Sequence, residues 1–467
     1  ALDRPLKTGE TLRHATLRAL DTIQWVPEAG HNRMKAMIEN RPDWCLSRQR
    51  YWGIPIPLNQ CGACGYFTAD RQSVRCPECD SLLEPVQDIL DVWFESGSSF
   101  MLSDTPADCV IEGSDQHRGW FQAALLLSVA TRNHAPFKTV MTHGFIVDDS
   151  GRKMSKSAGN STQPDKIIQT YGADVLRWWV ASVDVCHDVA LSTAVLDQAK
   201  ASFLKIRNTA RFLLGVTSDY TDYTGDFPSE LPFFERWILG KAQVMHDAVV
   251  QAYAAYDIHR ATQLIYHFCA TDLSQHFCDG RKDRLYCDAA DSPERRATQV
   301  ALLGVLALLV RVLAPVLVFT AEAIYQQLPA WLRPASSVHA LAFKPAGYYD
   351  TEESKYERET VWPLILKLKE QVYHQGEVLR QQKVIKQFLE LTVHITLPRH
   401  SKVLATVSDW EAILLVASVT CQVEDCSEAS VRIQKSDHHK CDRCWRYRRL
   451  ENGHCDRCSD VIKQETT

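Results

Sequence analysis

Two lysines three residues apart are the feature of this 467-residue sequence best suited to chemistry. Lys153 and Lys156 lie in the string Lys-Met-Ser-Lys-Ser, and Gly151 and Gly159 flank it. A turn at this spacing can direct both ammonium groups at one anion, and the glycines allow the loop to move. Such a pair suits a triphosphate whose negative charge shifts during a reaction. The alternative is a solvated basic loop, which is what most lysine pairs of this spacing are.

An acidic and amide-rich string, EGSDQHRGWF at 112–121, lies where a predicted strand gives way to a predicted helix. In open parallel sheets, ligands bind in the crevice at the carboxyl ends of the strands. At that position Glu112 can accept hydrogen bonds from ribose hydroxyls. Asp115 and Gln116 can meet an ammonium group and sugar oxygens. The alternative is that Asp115 or Ser114 only caps the helix.

These two strings, with Asp43–Pro57 and the string DVWFESG at 91–97, resemble the signatures of class I aminoacyl-tRNA synthetases. Their order and spacing are most similar to the isoleucyl, valyl and leucyl branch, and above all to bacterial isoleucyl-tRNA synthetases. The resemblance implies that Glu112 contacts an isoleucyl-adenylate, with Asp115 and Gln116 beside it. It implies that Lys156 contacts ATP and that Lys153 supports it. Trp93 and Trp120 are then expected to wall the amino-acid pocket, although ordinary core packing is the alternative for each.

The resemblance also implies an activity and its partners. The complete enzyme would use ATP with Mg²⁺ to activate isoleucine and would transfer it to tRNA(Ile), as a monomer in the cytoplasm. The family's His-x-Gly-His motif and its editing insertion are not found in this sequence. We therefore expect a C-terminal portion of such an enzyme that does not form the adenylate alone. Valyl specificity, or a synthetase-derived RNA-binding protein without catalysis, remain alternatives.

Eight of the sixteen cysteines form four Cys-x-x-Cys pairs, which is spacing typical of zinc sites. Because all of these ligands are thiolates, the pattern favours closed structural sites over zinc-dependent catalysis. The two predicted sites are Cys441, Cys444, Cys455 and Cys458 near the C-terminus, and Cys61, Cys64, Cys76 and Cys79 in an inserted knob at about 58–85.

The C-terminal cysteine pairs are surrounded by basic and aromatic residues. Trp445 and Tyr447 stand among five of the basic ones: Lys440, Arg443, Arg446, Arg448 and Arg449. Basic side chains interleaved with aromatic ones suit phosphate contact and base stacking. The segment therefore predicts an RNA contact, with a solvated basic surface as the alternative.

Length and periodicity indicate several modules of mixed α/β class. The length suggests about three domains, and the net charge of −5 excludes no class of partner. Alternation of a buried strand at 107–112, a helix at 116–131 and a strand at 137–144 predicts a parallel sheet. The resemblance implies that this sheet belongs to a partial Rossmann-like catalytic domain. The expected boundaries are 1–190 for that domain, 191–345 for a helical anticodon-binding bundle, 346–435 for an α/β junction and 436–467 for the zinc tail.

The most apolar stretch, Val300–Phe319, raises the question of a membrane span. Arg311 lies within it, and Gly304 and Pro315 interrupt it. A charge inside a span is costly. The stretch is therefore predicted to be a buried helix of the bundle.

Overall fold

The computed structural model describes residues 1–70, 72–148, 150–154, 163–220, 231–343, 351–399 and 401–465. The backbone divides into two compact units. Unit 1 comprises Ala1–Ser161 and Asp184–Leu191, and unit 2 comprises Thr162–Val183 and Ser192–Thr467. The segment Thr162–Val183 therefore groups with unit 2, although the boundary predicted at 190 places it with the first module.

Unit 1 is organised by short strands. They are β1 (Gln24–Val26), β2 (Ser47–Arg48), β3 (Asn59–Cys61), β4 (Phe67–Thr68), β5 (Leu83–Pro85), β6 (Ile89–Leu90), β7 (Ala107–Gly113), β8 (Phe137–His143), β9 (Ile146–Val147) and β10 (Val189–Ala190). The main sheet has the order β1-β8-β7, and all its pairs are parallel. The knob holds a separate antiparallel sheet, β4-β3-β5. The predicted parallel α/β arrangement is confirmed.

The helices of unit 1 pack on this sheet. They are α1 (Leu12–Leu20), α2 (Ala29–Glu39), α3 (Val92–Gly97) and α4 (Trp120–Arg132). Phe121 and Leu125 of α4 are completely buried with Val140 of β8, so the apolar face of α4 forms the core with the sheet. The helix predicted from 116 begins only at Trp120, because Ser114–Arg118 first forms a tight 3₁₀ turn.

One expectation about the sheet is wrong. The strand at 107–112 is predicted to be buried, but β7 is the edge of the sheet among the described residues, and most of its residues are at least partly exposed. Ile111 of this strand is 59% exposed. The apolar run predicts a strand, but burial depends on which neighbours cover it.

Unit 2 is mainly helical. Its helices are α5 (Pro164–Tyr171), α6 (Ala173–Ser182), α7 (Thr193–Val216), α8 (Phe233–Ala254), α9 (Ile258–His267), α10 (Asp279–Cys287), α11 (Pro293–Leu313), α12 (Val318–Gln326), α13 (Glu352–Tyr356), α14 (Trp362–Gln381), α15 (Val403–Thr406), α16 (Trp410–Leu414) and α17 (Asp456–Glu465). A π-helical stretch, Phe268–Cys278, continues α9 into α10. Helix α11 is long and apolar enough to cross a membrane, but most of it is buried within the bundle, as predicted.

A small sheet and a hairpin complete unit 2. The strands are β11 (Leu391–Pro398), β12 (Ser418–Glu424), β13 (Ser430–Lys435), β14 (His439–Lys440) and β15 (Tyr447–Arg448). The central strand β11 pairs in parallel with β12 and in antiparallel with β13. Its alternate residues Leu391, Val393 and Ile395 are completely buried, so one face of this strand forms part of the core.

Candidate active site and metal centres

The first candidate group lies at the carboxyl end of β7. Glu112 is exposed there and stands beside Thr142 of β8, while Gly113 stands beside His143. The imidazole Nδ1 of His143 lies 2.7 Å from the carbonyl oxygen of Gly144. The sheet therefore places a solvent-accessible carboxylate at the edge where open parallel sheets bind ligands.

The 3₁₀ turn after β7 carries the predicted acid and amide. The backbone amide of Trp120 donates a 2.9 Å hydrogen bond to Oε1 of Gln116, whose Nε2 donates to Asp115 at 3.3 Å. Gln116 thus accepts a hydrogen bond from one of the free N–H groups at the start of α4. The sequence suggests Ser114 or Asp115, rather than Gln116, for this capping contact. Asp115 remains exposed.

Both predicted pocket tryptophans lie where α3 contacts α4. Two ring atoms of Trp93 are 3.1 and 3.2 Å from the position that a Cβ on Gly119 would occupy, so this glycine lets the indole approach the backbone. Trp93 is 42% exposed. Trp120 is half-buried, donates from Nε1 to the carbonyl of Ser96 at 2.9 Å, and packs on Phe137. Trp93 is therefore partly open to solvent, whereas Trp120 is held by packing and by its hydrogen bond to Ser96.

Asp91 is a residue whose role the sequence reasoning missed. Its buried carboxylate accepts 2.9 Å and 2.6 Å hydrogen bonds from Trp44 and Arg48, and it also caps α3 by accepting from the amide of Trp93. It thus ties the string at 43–57 to the string at 91–97. Its position directly before the first turn of a helix is the sequence signal from which the capping role of Asp91 could have been predicted.

The lysine loop follows β9. The ammonium of Lys153 lies 3.6 Å from the centre of the Phe145 ring, a cation–π contact. Asp148 accepts hydrogen bonds from the backbone and side chain of Arg152, which closes the turn before Lys153. The predicted residue Lys156 lies outside the described residues. Its convergence with Glu112 on one ligand therefore stays a prediction.

The four C-terminal cysteines come together. The sulfur atoms of Cys441, Cys444, Cys455 and Cys458 lie within 4.8 Å of one another and all four residues are buried. The Cys444 and Cys455 sulfurs are 3.8 Å apart. A zinc ion bound tetrahedrally at about 2.3 Å from each sulfur requires sulfur separations of roughly 3.8 Å. The cluster therefore fits zinc in both ligand type and spacing.

The knob brings its four cysteines together in the same way. The sulfur atoms of all four lie within 4.8 Å, with Cys61 to Cys79 and Cys64 to Cys76 each at 3.5 Å. A hydrogen bond from Ser81 lowers the pKa of the Cys79 thiol to about 6. Because metals bind the thiolate form, this hydrogen bond favours coordination by Cys79, whereas the pKa of the Cys64 thiol is raised to about 12 by the neighbouring thiols. Cys64 and Cys79 are exposed, so the site lies nearer to solvent than the C-terminal one.

The basic residues around the C-terminal cysteines divide into two groups. The ammonium of Lys440 lies 4.7 Å from the centre of the exposed Trp445 ring, and Arg448 and Arg449 are exposed. Arg446 is buried instead, where it donates to the Glu411 carbonyl at 3.1 Å. Arg446 is therefore held against the protein and is not open to the RNA contact that is predicted for this segment.

Family models match two long stretches of the chain. The model described as tRNA synthetases class I (I, L, M and V) matches residues 7–192, and the anticodon-binding domain of tRNA ligase matches residues 235–395. Similar curated proteins are the isoleucine–tRNA ligases of Thermotoga neapolitana and Kosmotoga olearia. They are 36% and 37% identical, over 97% of this chain and 54% of their own lengths. The chain thus spans about half the length of these relatives.

Solved structures show the same fold at low sequence identity. LeuRS of Agrobacterium radiobacter K84, in a ternary complex with tRNA and LeuAMS, has a TM-score of 0.51 at 17% identity and aligns with 77% of this chain and 46% of its own. The methionyl-tRNA synthetase of Mycobacterium tuberculosis with methionyl-adenylate has a TM-score of 0.52 at 18% identity, over 71% of this chain and 68% of its own. At these identities the likeness concerns the fold alone.

Proposed function

We propose that this chain, which belongs to the class I aminoacyl-tRNA synthetases, acts within an isoleucine–tRNA ligase. The observation that carries the proposal is an identity of 35–37% to ligases of that name along 97% of the chain. The similarity runs along nearly the whole chain rather than stopping at a single motif.

The proposed reaction has two steps. A carboxylate oxygen of isoleucine attacks the α-phosphorus of ATP, with Mg²⁺ bound to the nucleotide, and pyrophosphate leaves. A terminal ribose hydroxyl of tRNA(Ile) then attacks the carbonyl carbon of the adenylate, and AMP leaves as the ester forms. Each step moves negative charge, so fixed donors and cations around the phosphates lower the barrier.

Each site residue has a separate role in this proposed reaction. Glu112 accepts from the nucleotide ribose, since its carboxylate is exposed at the carboxyl end of β7. Asp115 meets the ammonium group of isoleucine, and Gln116 holds the turn. Trp93 offers an exposed indole face to the aliphatic side chain.

The lysine string supplies positive charge to the phosphates. In this proposal Lys156 neutralises the charge that develops on the departing pyrophosphate, and Lys153 supports it. The Phe145 ring beneath Lys153 suits this role, because a cation–π contact positions an ammonium without neutralising it.

The two four-cysteine clusters would each hold one zinc ion with a structural role, because four thiolates leave no open coordination position. The exposed Lys440 and Trp445 pair supports contact of the tail with tRNA(Ile). We further propose a monomer that acts in the cytoplasm, where most thiols stay reduced and available for zinc.

The test is ATP–pyrophosphate exchange by the full-length gene product with isoleucine, valine and leucine in turn. The proposal expects isoleucine to be preferred, followed by charging of tRNA(Ile). A strong preference for valine would replace it with valyl specificity. Binding of tRNA without exchange for any amino acid would favour the RNA-binding protein that lacks catalysis.

A further inference from the structure

Helix α10 is the element of the helical bundle on which the zinc tail rests. Asp283 of this helix forms ion pairs with Arg457 at 3.1 Å and with Arg446 at 3.7 Å. Asp288, directly after the helix, pairs with Arg457 at 3.0 Å. These contacts join residues more than 150 positions apart in the sequence and all lie within unit 2. The tail is therefore docked on the bundle by charges that are partly or largely shielded from water.

The docking arginines are carried by the metal-binding loops themselves. Arg443 directly precedes Cys444, and Arg457 directly precedes Cys458. The guanidinium of Arg443 donates to the carbonyl oxygen of Cys287, at the end of α10. The Cys287 sulfur in turn lies 3.8 Å from the Arg443 carbonyl oxygen. Because four thiolates on one metal ion fix the shape of both loops, they also fix where these arginines lie.

Two exposed aromatic residues lie next to the residues of this contact in the sequence. Trp445 is 65% exposed and lies two residues after Arg443, and Tyr286 is also 65% exposed and directly precedes Cys287. Tyr286 meets Phe212 of α7 edge to face at 6.1 Å, which supports its ring from one side. Lys440 lies over the Trp445 ring. Exposed rings with adjacent cations suit the stacking of unpaired bases next to phosphates.

We infer that Asp283 and Asp288 are positioning residues: they fix the zinc tail on α10 so that Trp445 and Tyr286 form one stacking surface for unpaired bases of the bound tRNA. The inference rests on the proposed function for the identity of the RNA. The tail then acts as a rigid extension of the helical domain, and the metal maintains the loops that carry the arginines. Neither Asp283 nor Asp288 contacts the RNA in this arrangement.

The first experiment needs no RNA. Asp283→Asn removes the charge that pairs with Arg446 and Arg457 but keeps the size of the side chain. We expect faster deuterium uptake across 440–458 and faster zinc release to a chelator than in the parent chain, with Asp283→Glu restoring both. Asp460→Asn is the matched control, because Asp460 forms a surface pair with Lys463 of the same helix, at 3.5 Å. Unchanged uptake and release in Asp283→Asn would overturn the inference.

The second experiment measures the affinity of the full chain for a tRNA(Ile) transcript. Trp445→Ala and Tyr286→Ala should each weaken binding roughly 5- to 150-fold, the range for loss of one base stack. Asp283→Asn should weaken it as well, and Asp283→Glu should restore it. Tyr373→Ala is the control, because Tyr373 is an exposed tyrosine of α14 that stacks on Phe388.

The outcomes separate the two proposals. If tRNA binds tightly but Tyr286→Ala binds as the parent does, the shared stacking surface is wrong while the proposed function stands. If the parent chain binds no tRNA, the proposed function fails at this step. In that case the deuterium and zinc measurements still decide whether Asp283 positions the tail.

Discussion

Arg281 and Glu235 form a double hydrogen-bonded ion pair inside the helical bundle, with Nε to Oε1 at 2.7 Å and Nη2 to Oε2 at 2.9 Å. Both side chains are removed from solvent, and Thr298 donates to the same carboxylate at 2.7 Å. Arg281 also meets Asp409 at 2.8 Å. The pair therefore joins α8, α10 and α11 and reaches the segment before α16.

Glu235→Gln should destabilise the bundle strongly, because it leaves the Arg281 charge buried opposite a neutral amide. Removing one partner of a buried pair costs about 3–5 kcal/mol, and the remaining contact with Asp409 favours the lower end. Urea titration measures the free energy of unfolding. Asp279→Asn on α10, the helix that carries Arg281, is the control, since the exposed pair of Asp279 with Lys282 is worth at most about 1 kcal/mol. Equal losses in the two variants would contradict this prediction.

Gly119→Ala should disturb the proposed amino-acid pocket without unfolding the domain. An added Cβ would lie 2.6 Å from Oε1 of Gln116 and 3.1 Å from the Trp93 ring, so both side chains must shift. We expect the KM for isoleucine to rise roughly tenfold, the size of effect of one misplaced methylene contact. Gly215→Ala is the control, because nothing lies within 4 Å of its added Cβ. An unchanged KM for isoleucine would contradict the assignment of Trp93 to the amino-acid pocket.

Lys156→Ala in the complete enzyme should slow adenylate formation with little change in stability. The physical reason is the loss of a cation that stabilises charge developing on the phosphates. Single-turnover measurement of adenylate formation tests it, and circular dichroism checks the fold. Lys166→Ala is the control variant, because Lys166 lies on α5, outside the lysine string. Equal rates for the Lys156 variant and its parent would count against the assigned role.

Metal analysis should find close to two equivalents of zinc per chain. Cys441→Ser and Cys61→Ser should each reduce the content to about one, because each removes a thiolate from a different four-cysteine cluster. Cys269→Ser is the control, since Cys269 is buried in the bundle and belongs to neither cluster. A parent chain with less than one equivalent would exclude the C-terminal site.

Acid should destabilise the bundle through His276. Burial lowers the pKa of this imidazole to about 4, and the charges of Lys369 and Lys241 add to the effect. The unfolded chain therefore takes up this proton first as the pH falls, so stability is lost between about pH 6.5 and pH 4. Comparing the free energy of unfolding at pH 7 and pH 5 measures the loss.

His276→Phe is the informative variant for that measurement. In the parent, the His276 imidazole meets the Trp362 ring edge to face at 5.4 Å. Phenylalanine keeps an aromatic ring at this position but cannot take up a proton. The loss of stability between the two pH values should therefore be smaller than in the parent. An equal loss would assign the acid sensitivity to other groups.

The two four-cysteine clusters show how much local spacing predicts. Each Cys-x-x-Cys pair is set by a few backbone torsions, so two sulfurs converge almost regardless of the rest of the chain, and both predicted clusters assemble. The strand β11 can likewise be recognised from the sequence, because its alternation of apolar residues is a local property. The synthetase class was predicted from the strings at 112–121 and 152–160 taken together.

The surroundings of these groups were decided only by the tertiary structure. Arg446 and Arg448 lie two residues apart in the same basic run, yet Arg446 is buried against Glu411 while Arg448 is exposed. The exposure of Ile111 on β7 is of the same kind. The sequence alone identified the residues that we propose for the chemistry and for metal binding. Burial and charge pairing depend on contacts between segments far apart along the chain, so only the folded structure decided which of those residues are exposed and which are buried.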